Sequence, residues 1–290
     1  MRRQLLVVSF LLAFGAAQAS AQTARPEPGS VPNAADVYCS GVVTTESIPY
    51  DTYLISGEES TPTTIYADNN YVYLSKGASQ GVKVGDEFQI MRPVKDTVFL
   101  YEWFHGQRAI QQAMGQQWAD LGRVRVVVAG KDVATALVLR TCGYLQRGDY
   151  ARPAAERPAP PLKMAKDFDR FAPPSGKSSG LVVSSKEYLN SVGQHDILYI
   201  NLGSNQSTKV GDYVRFFRYQ GTRKEVIYQL RGMQDHIFEF GKTPKPYKPS
   251  DLPREVLGEG VVLRTSPTSS TILVMHCLRE IFMGDRVEVE

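Results

Sequence analysis

Gly77–Ala78–Ser79–Gln80–Gly81 spells G-x-S-x-G, the pattern of a serine nucleophile elbow. That chemistry needs a strand, a sharp turn and then a helix whose N-terminus lifts the serine into the open. Here Val82–Lys83–Val84–Gly85–Asp86 follows, and glycines among β-branched residues oppose a helix. The run therefore reads as a turn, and a serine hydrolase stands last among the functions considered. Metal chemistry has no better footing. His105, His195, His236 and His276 are scattered, without a ligand spacing such as H-x-x-x-H. His276 and Cys277 are adjacent, so a strand would point them to opposite faces.

Three other patterns dissolve on the same terms. Gly176–Lys177–Ser178 resembles the end of a phosphate loop but lacks its first glycine and preceding strand. Asn205–Gln206–Ser207 is a glycosylation sequon, meaningful only in a eukaryotic secretory pathway. Asp86, Asp149, Asp212 and Asp285 each follow a glycine; that recurrence makes them turn caps accepting backbone N–H bonds, not a catalytic carboxylate set. No cofactor and no enzymatic activity are expected.

The elements carrying these turns occur twice. Tyr71–Leu74 is answered by Ile197–Leu202, the turn Val84–Gly85–Asp86 by Val210–Gly211–Asp212, and Glu87–Met91 by Tyr213–Phe217. Leu121–Val128 is answered by Leu257–Leu263, and Thr135–Leu139 by Thr271–Met275. The opening strands match as Ser40–Gly41–Val42–Val43–Thr44 and Ser179–Gly180–Leu181–Val182–Val183, and each copy closes on Gly-Asp and a short strand. Short Val-, Tyr- and Ile-rich runs bounded by Gly, Asp, Asn and Ser are strand chemistry. Five or six of them per copy predict an all-β protein of two tandem small barrels, SH3-like or OB-like, with long variable loops.

The chain's first residues bear on compartment. Arg2 and Arg3, the apolar run Leu5–Ala17 and Ala19–Ser20–Ala21 fit a cleavable signal peptide over residues 1–21. Residues 22–35 read as disordered, 36–153 as the first barrel, 154–177 as a Pro-rich, semi-rigid linker and 178–290 as the second barrel. No later stretch has the length of a membrane span. Without Arg2 and Arg3, Lys and Arg fall from 33 to 31 against 30 acidic residues. A nearly neutral chain with no basic stripe excludes nucleic acid as a partner. Export places the cysteines in an oxidising compartment. Cys142 and Cys277 occupy matching places and Cys39 opens the first copy, opposite Ser178. The economical disulfide is Cys39–Cys142, leaving Cys277 as a buried free thiol.

The copies diverge between their third and fourth strands. The first inserts Pro93–Asp120, with a short helix expected over Arg108–Trp118; the second inserts Gln220–Val256. Long loops on small barrels are common binding sites. The candidate binding residues are therefore Tyr101, Trp103, Phe104 and Trp118 in one loop and Tyr228, Phe238, Phe240 and Tyr247 in the other. Their rings could stack on sugars or peptide side chains, or simply pack in a core.

Tyr73–Leu74, Gly77, Gln80–Gly81, Val84–Gly85–Asp86, Leu121–Gly122 and Gly148–Asp149 make a block that resembles the C-terminal domain of flagellar assembly protein T and related bacterial envelope modules. In the second copy the same block is Ile200–Gln206, Val210–Gly211–Asp212, Leu257–Gly258 and Gly284–Asp285. The resemblance implies SH3-like barrels used in assembly at the cell envelope, with no catalytic residue. The expected function is an exported, non-enzymatic structural, assembly or protein-binding module, periplasmic or secreted. Its expected partners are envelope proteins or, as the alternative, peptidoglycan or another polysaccharide.

Overall fold

A computed structural model describes residues 32–58, 63–94, 102–161, 169–219 and 252–290. The chain is mostly β. In the first half, β1 (Val42–Thr44), β2 (Leu54–Gly57), β3 (Tyr71–Leu74), β4 (Glu87–Pro93), β5 (Gln116–Ala129), β6 (Ala134–Thr141) and β7 (Tyr150–Pro153) form one antiparallel sheet. Its order is β2-β3-β6-β5-β4-β7, with β1 added against the start of β5. In the second half, β8 (Ser179–Ser185), β10 (Ile197–Ile200), β11 (Tyr213–Arg218), β12 (Glu255–Thr265), β13 (Ser270–Cys277) and β15 (Arg286–Val289) close into a six-stranded barrel. The short β9 (Ser191–Val192) and β14 (Ile281–Phe282) pair beside it.

The two halves pair their strands in the same register. Tyr73 faces Thr135 across β3 and β6, as Tyr199 faces Thr271 across β10 and β13. Leu54 N–H donates to Asp149 O and Gly148 N–H to Leu54 O; Val182 N–H to Asp285 O and Gly284 N–H to Val182 O repeat that exchange. Alternation then sets the faces. Val72, Leu74, Ile90, Val124 and Val138 fill one core, and Leu198, Ile200, Phe216, Val262 and Val274 fill the other.

The opening strands do not correspond as the sequence suggested. Register makes β2, not Ser40–Thr44, the counterpart of β8: Ser56 pairs with Tyr73 as Ser184 pairs with Tyr199. The shared S-G-V-V composition suits any strand, and the pairing partner decides the position. The halves also differ in closure. The seven residues of β8 reach both β10 and β15. The four of β2 pair with β3, and the chain just before them meets β7 through the isolated bridge Tyr53↔Tyr150 and the Ala151 N–H to Thr52 O bond instead of a ladder.

The turn aspartates behave as caps. Lys83, Gln146, Lys209 and Phe282 donate their N–H groups to Asp86, Asp149, Asp212 and Asp285, at 2.8, 2.7, 2.8 and 2.8 Å. Asp149 and Asp285 do more. Each takes a two-pronged ion pair from the strand beside it, Arg92 at 2.6 and 2.9 Å and Arg218 at 2.8 and 2.6 Å. Burial pushes the Asp149 carboxyl up, against the pull of Arg92.

Residues 1–31, the expected signal peptide and most of the segment expected to be disordered, lie outside the described residues, whereas 33–35 belong to a capped helix. Asn33 and Asp36 form a reciprocal capping box on the helix α1 (Ala34–Tyr38). The expected second helix is shorter than the run Arg108–Trp118. It is α2 (Gln107–Met114), ended at Gly115, whose φ of +101° lies outside the helical range. Gln116–Trp118 then belongs to β5. The described parts of the linker lie against the two halves instead of spanning free space. Tyr38 Oη donates to Glu156 at 2.9 Å and accepts from Arg157 N–H at 3.0 Å; Tyr213 Oη donates to Pro161 O at 3.3 Å. Buried Arg254 donates to Ala172 O and Pro173 O and pairs with Glu288 at 2.6 Å.

Candidate functional site

The most chemically specific surface is the seam between the halves, where the second half grips an extended piece of the first. The disulfide Cys39–Cys142 fixes the piece at one end, with Cα atoms 5.4 Å apart. Cys277 is the free cysteine, as expected, but it is only partly buried; that burial raises its thiol pKa. Beyond Cys39 the backbone turns at Gly41, with φ at +69°. Tyr199 Oη donates to Ser40 O at 2.9 Å, Thr271 Oγ1 to Gly41 O at 3.3 Å and Ser269 Oγ to Val43 O at 2.6 Å. Three side-chain hydroxyls of the second half, Tyr199 and Thr271 on the barrel's outer face and Ser269 in the turn before β13, thus satisfy three buried carbonyls of one extended segment. Unpaired, each such carbonyl would cost about 1–3 kcal/mol.

Apolar contacts flank the clasp. Val37 packs with Ile197, Val261, Leu263 and Leu273, and Val43 with Met114, Val183 and Tyr199. Gln107 Nε2 of α2 donates to Val183 O at 2.8 Å and Thr268 Oγ1 to Met114 O at 3.2 Å. A buried Asp120 accepts from Gly41 N–H at 3.0 Å and Arg157 at 3.1 Å, with Arg264 3.7 Å away. Burial and the neighbouring Arg157 bring the Arg264 pKa down to about 10, although Asp120 opposes them. Burial pushes the Tyr199 phenol far up, so it stays a neutral donor. Beside the clasp, a cleft of about 510 Å³ opens between α2 and β8, lined by Arg108, Gln111, Gln112, Gln116, Ser184 and Tyr188.

The aromatic candidates divide. Trp103 is half-exposed, with its N–H donated to Gln107 Oε1 at 2.7 Å. Phe104 is partly buried against the core of the second half, its ring lying over Gly284, where a Cβ would meet it at 2.9 Å. Trp118 is a correction: it is buried with Val42 and Met91, edge-on to Tyr150 at 4.8 Å, and offers no open ring face. Its place beside Val42 of β1 puts it in a covered stretch of β5. Tyr101, Tyr228, Phe238, Phe240 and Tyr247 lie outside the described residues.

Sequence reasoning passed over two groups. Tyr50 stacks on Tyr53 at 5.0 Å and tilts on Tyr150 at 4.3 Å, an exposed aromatic patch where β2 meets β7. In the sequence Tyr199 and Thr271 look like ordinary strand residues; the signal that singles them out is that both recur, as Tyr73 and Thr135. Ser79 sits in a 3₁₀ turn, Ala78–Gln80, and donates to Asp132 at 2.9 Å. The same turn recurs at Ser204–Gln206 with Asn205 in its place. Among the described residues no group of three or more His, Cys, Asp or Glu is placed to hold a metal, and no helix is long and apolar enough to cross a membrane. Neither a scan of protein-family models nor a search of curated proteins returns a match to this chain.

Proposed function

We propose that this chain is an exported, non-enzymatic protein-binding module of the bacterial envelope, built of two tandem SH3-like barrels joined by a Pro-rich linker. The observation carrying this reading is the clasp. One half already binds an extended segment through its outer face, with three hydroxyls on three carbonyls and apolar packing on either side. Recognition of an extended segment through its main-chain polar groups, with pockets for its side chains, is a recurring mode. The common strand register of the halves supports the tandem arrangement. The Cys39–Cys142 bond supports an oxidising compartment. Ser79 in a turn with no following helix supports the non-enzymatic reading.

The test is reconstitution. Crosslinking in intact cells identifies a candidate, and purified full chain and purified candidate are then mixed. A one-to-one complex with an envelope protein is expected; no complex with any crosslinked candidate would overturn the reading. A second reading, binding of peptidoglycan or another polysaccharide, has one observation in its favour, the exposed rings of Tyr50 and Tyr53. Retention on purified wall material, lost in Tyr50→Ala or Trp103→Ala, would favour it.

A further inference from the structure

The register that relates the halves also relates their outer faces, and among the described residues only one is covered. In the second half Val183, Ile197, Tyr199 and Leu273 point outward under the clasped segment and are at most 9% exposed. Their counterparts by strand pairing are Ile55, Tyr71, Tyr73 and Leu137. Ile55 and Tyr71 are each 38% exposed, and Tyr73 and Leu137 are partly so. Tyr73 and Thr135 reproduce the Tyr199–Thr271 pair that grips Ser40 O and Gly41 O. Among the described residues neither the Tyr73 nor the Thr135 hydroxyl makes a side-chain hydrogen bond. An apolar outer face carrying two unspent donors in the clasp register matches a site for a segment that is not there.

From this we infer that the outer face of the first half, centred on Tyr73 and Thr135, binds an extended segment of another protein in the manner in which the second half binds Val37–Val43. The inference rests on the protein-binding reading above and names its site. The occupied clasp specifies the ligand. It has an apolar residue four positions before a glycine, as Val37 precedes Gly41, and a β-branched residue two positions after it, as Val43 follows. The glycine is required because a Cβ there would sit 2.5 Å from the tyrosine oxygen. A second copy of this chain is a poor source, since its own segment is gripped in place and tied to Cys142.

The test titrates full-length protein with a labelled peptide reproducing Ala34–Thr45 with Cys39→Ser and a benzophenone at the Val43 position, read by anisotropy and by mapping the photo-crosslink. Saturable binding with crosslinks to β3 and β6 is expected. Tyr73→Phe and Thr135→Val should each weaken it about fivefold, the scale of one lost hydrogen bond. Neither change should shift the urea midpoint, because neither hydroxyl has a partner to lose. No binding, binding insensitive to both substitutions, or crosslinks confined to the second half would overturn the inference. Crosslinks to a different face of the first half would overturn this site and leave the protein-binding reading standing, which reconstitution with a partner judges separately. Self-association that the peptide dissociates, seen by sedimentation, would overturn the choice of another protein as occupant.

Discussion

Replacing Gly41 by alanine should be among the most damaging single-methyl additions in this chain. The residue has φ at +69°, a region costing an L-residue about 1–2 kcal/mol. Its new Cβ would stand 2.5 Å from Tyr199 Oη and 2.8 Å from Trp118 O. Both oxygens lie in the seam, so the tyrosine must move and release Ser40 O, a loss of about 1–3 kcal/mol. Together these come to about 2–5 kcal/mol, a large part of the 5–15 kcal/mol typical of folded proteins. With a urea m-value of about 3 kcal/mol per M, the midpoint falls by roughly 1 M. A double-mutant cycle sharpens the test. Tyr199→Phe alone loses about 1–3 kcal/mol through the same carbonyl. In its presence the closer of the two oxygens is gone, Trp118 O remains at 2.8 Å, and the nearest ring atom, Cζ, is at 3.7 Å. The double variant should therefore be more stable than the sum by about 1 kcal/mol or more. Additivity to within about 0.5 kcal/mol, or an unmoved midpoint for Gly41→Ala, would refute the clasp.

Three further outcomes follow from the same geometry. Alkylation of the native protein without reductant should label Cys277 alone, at a rate still climbing at alkaline pH because burial raises its thiol pKa; label on Cys39 or Cys142 would contradict the disulfide. Asp149→Asn and Asp285→Asn each strip a nearly buried carboxylate from a two-pronged arginine, and each should destabilise by about 3 kcal/mol in chemical denaturation; a loss under about 1 kcal/mol would show that the pair is dispensable. Ser79→Ala removes one exposed hydrogen bond and should change stability by less than about 0.5 kcal/mol; a hydrolytic activity abolished by it would reverse the turn assignment.

The strands were legible because alternation is local: Tyr71–Leu74 and Ile197–Ile200 announce themselves by composition. The turn aspartates were legible because a Gly-Asp pair that recurs with its strands has one economical physical explanation. Cys39–Cys142 was legible from the matched places of Cys142 and Cys277 and from the compartment. Misreadings arose where position depends on a partner distant in sequence. Ser40–Thr44 has strand composition whether it lines a barrel or bridges two halves, and only its pairing with Gln116–Trp118 decides. Trp118 looked like the end of a helix, although Gly115 already marked the break. The seam was invisible because its donors, Tyr199 and Thr271 on strands and Ser269 in the turn before β13, are ordinary residues of the barrel surface until a second surface meets them.

Hydrogen exchange of the peptide covering Cys39–Thr44 tests most directly that this segment is held as a bound strand. Its amides should exchange as slowly as those of β12 and β13 in the barrel, and Tyr199→Phe should accelerate them selectively. Exchange on the timescale of a free chain terminus, or no response to Tyr199→Phe, would contradict the clasp on which the binding function rests.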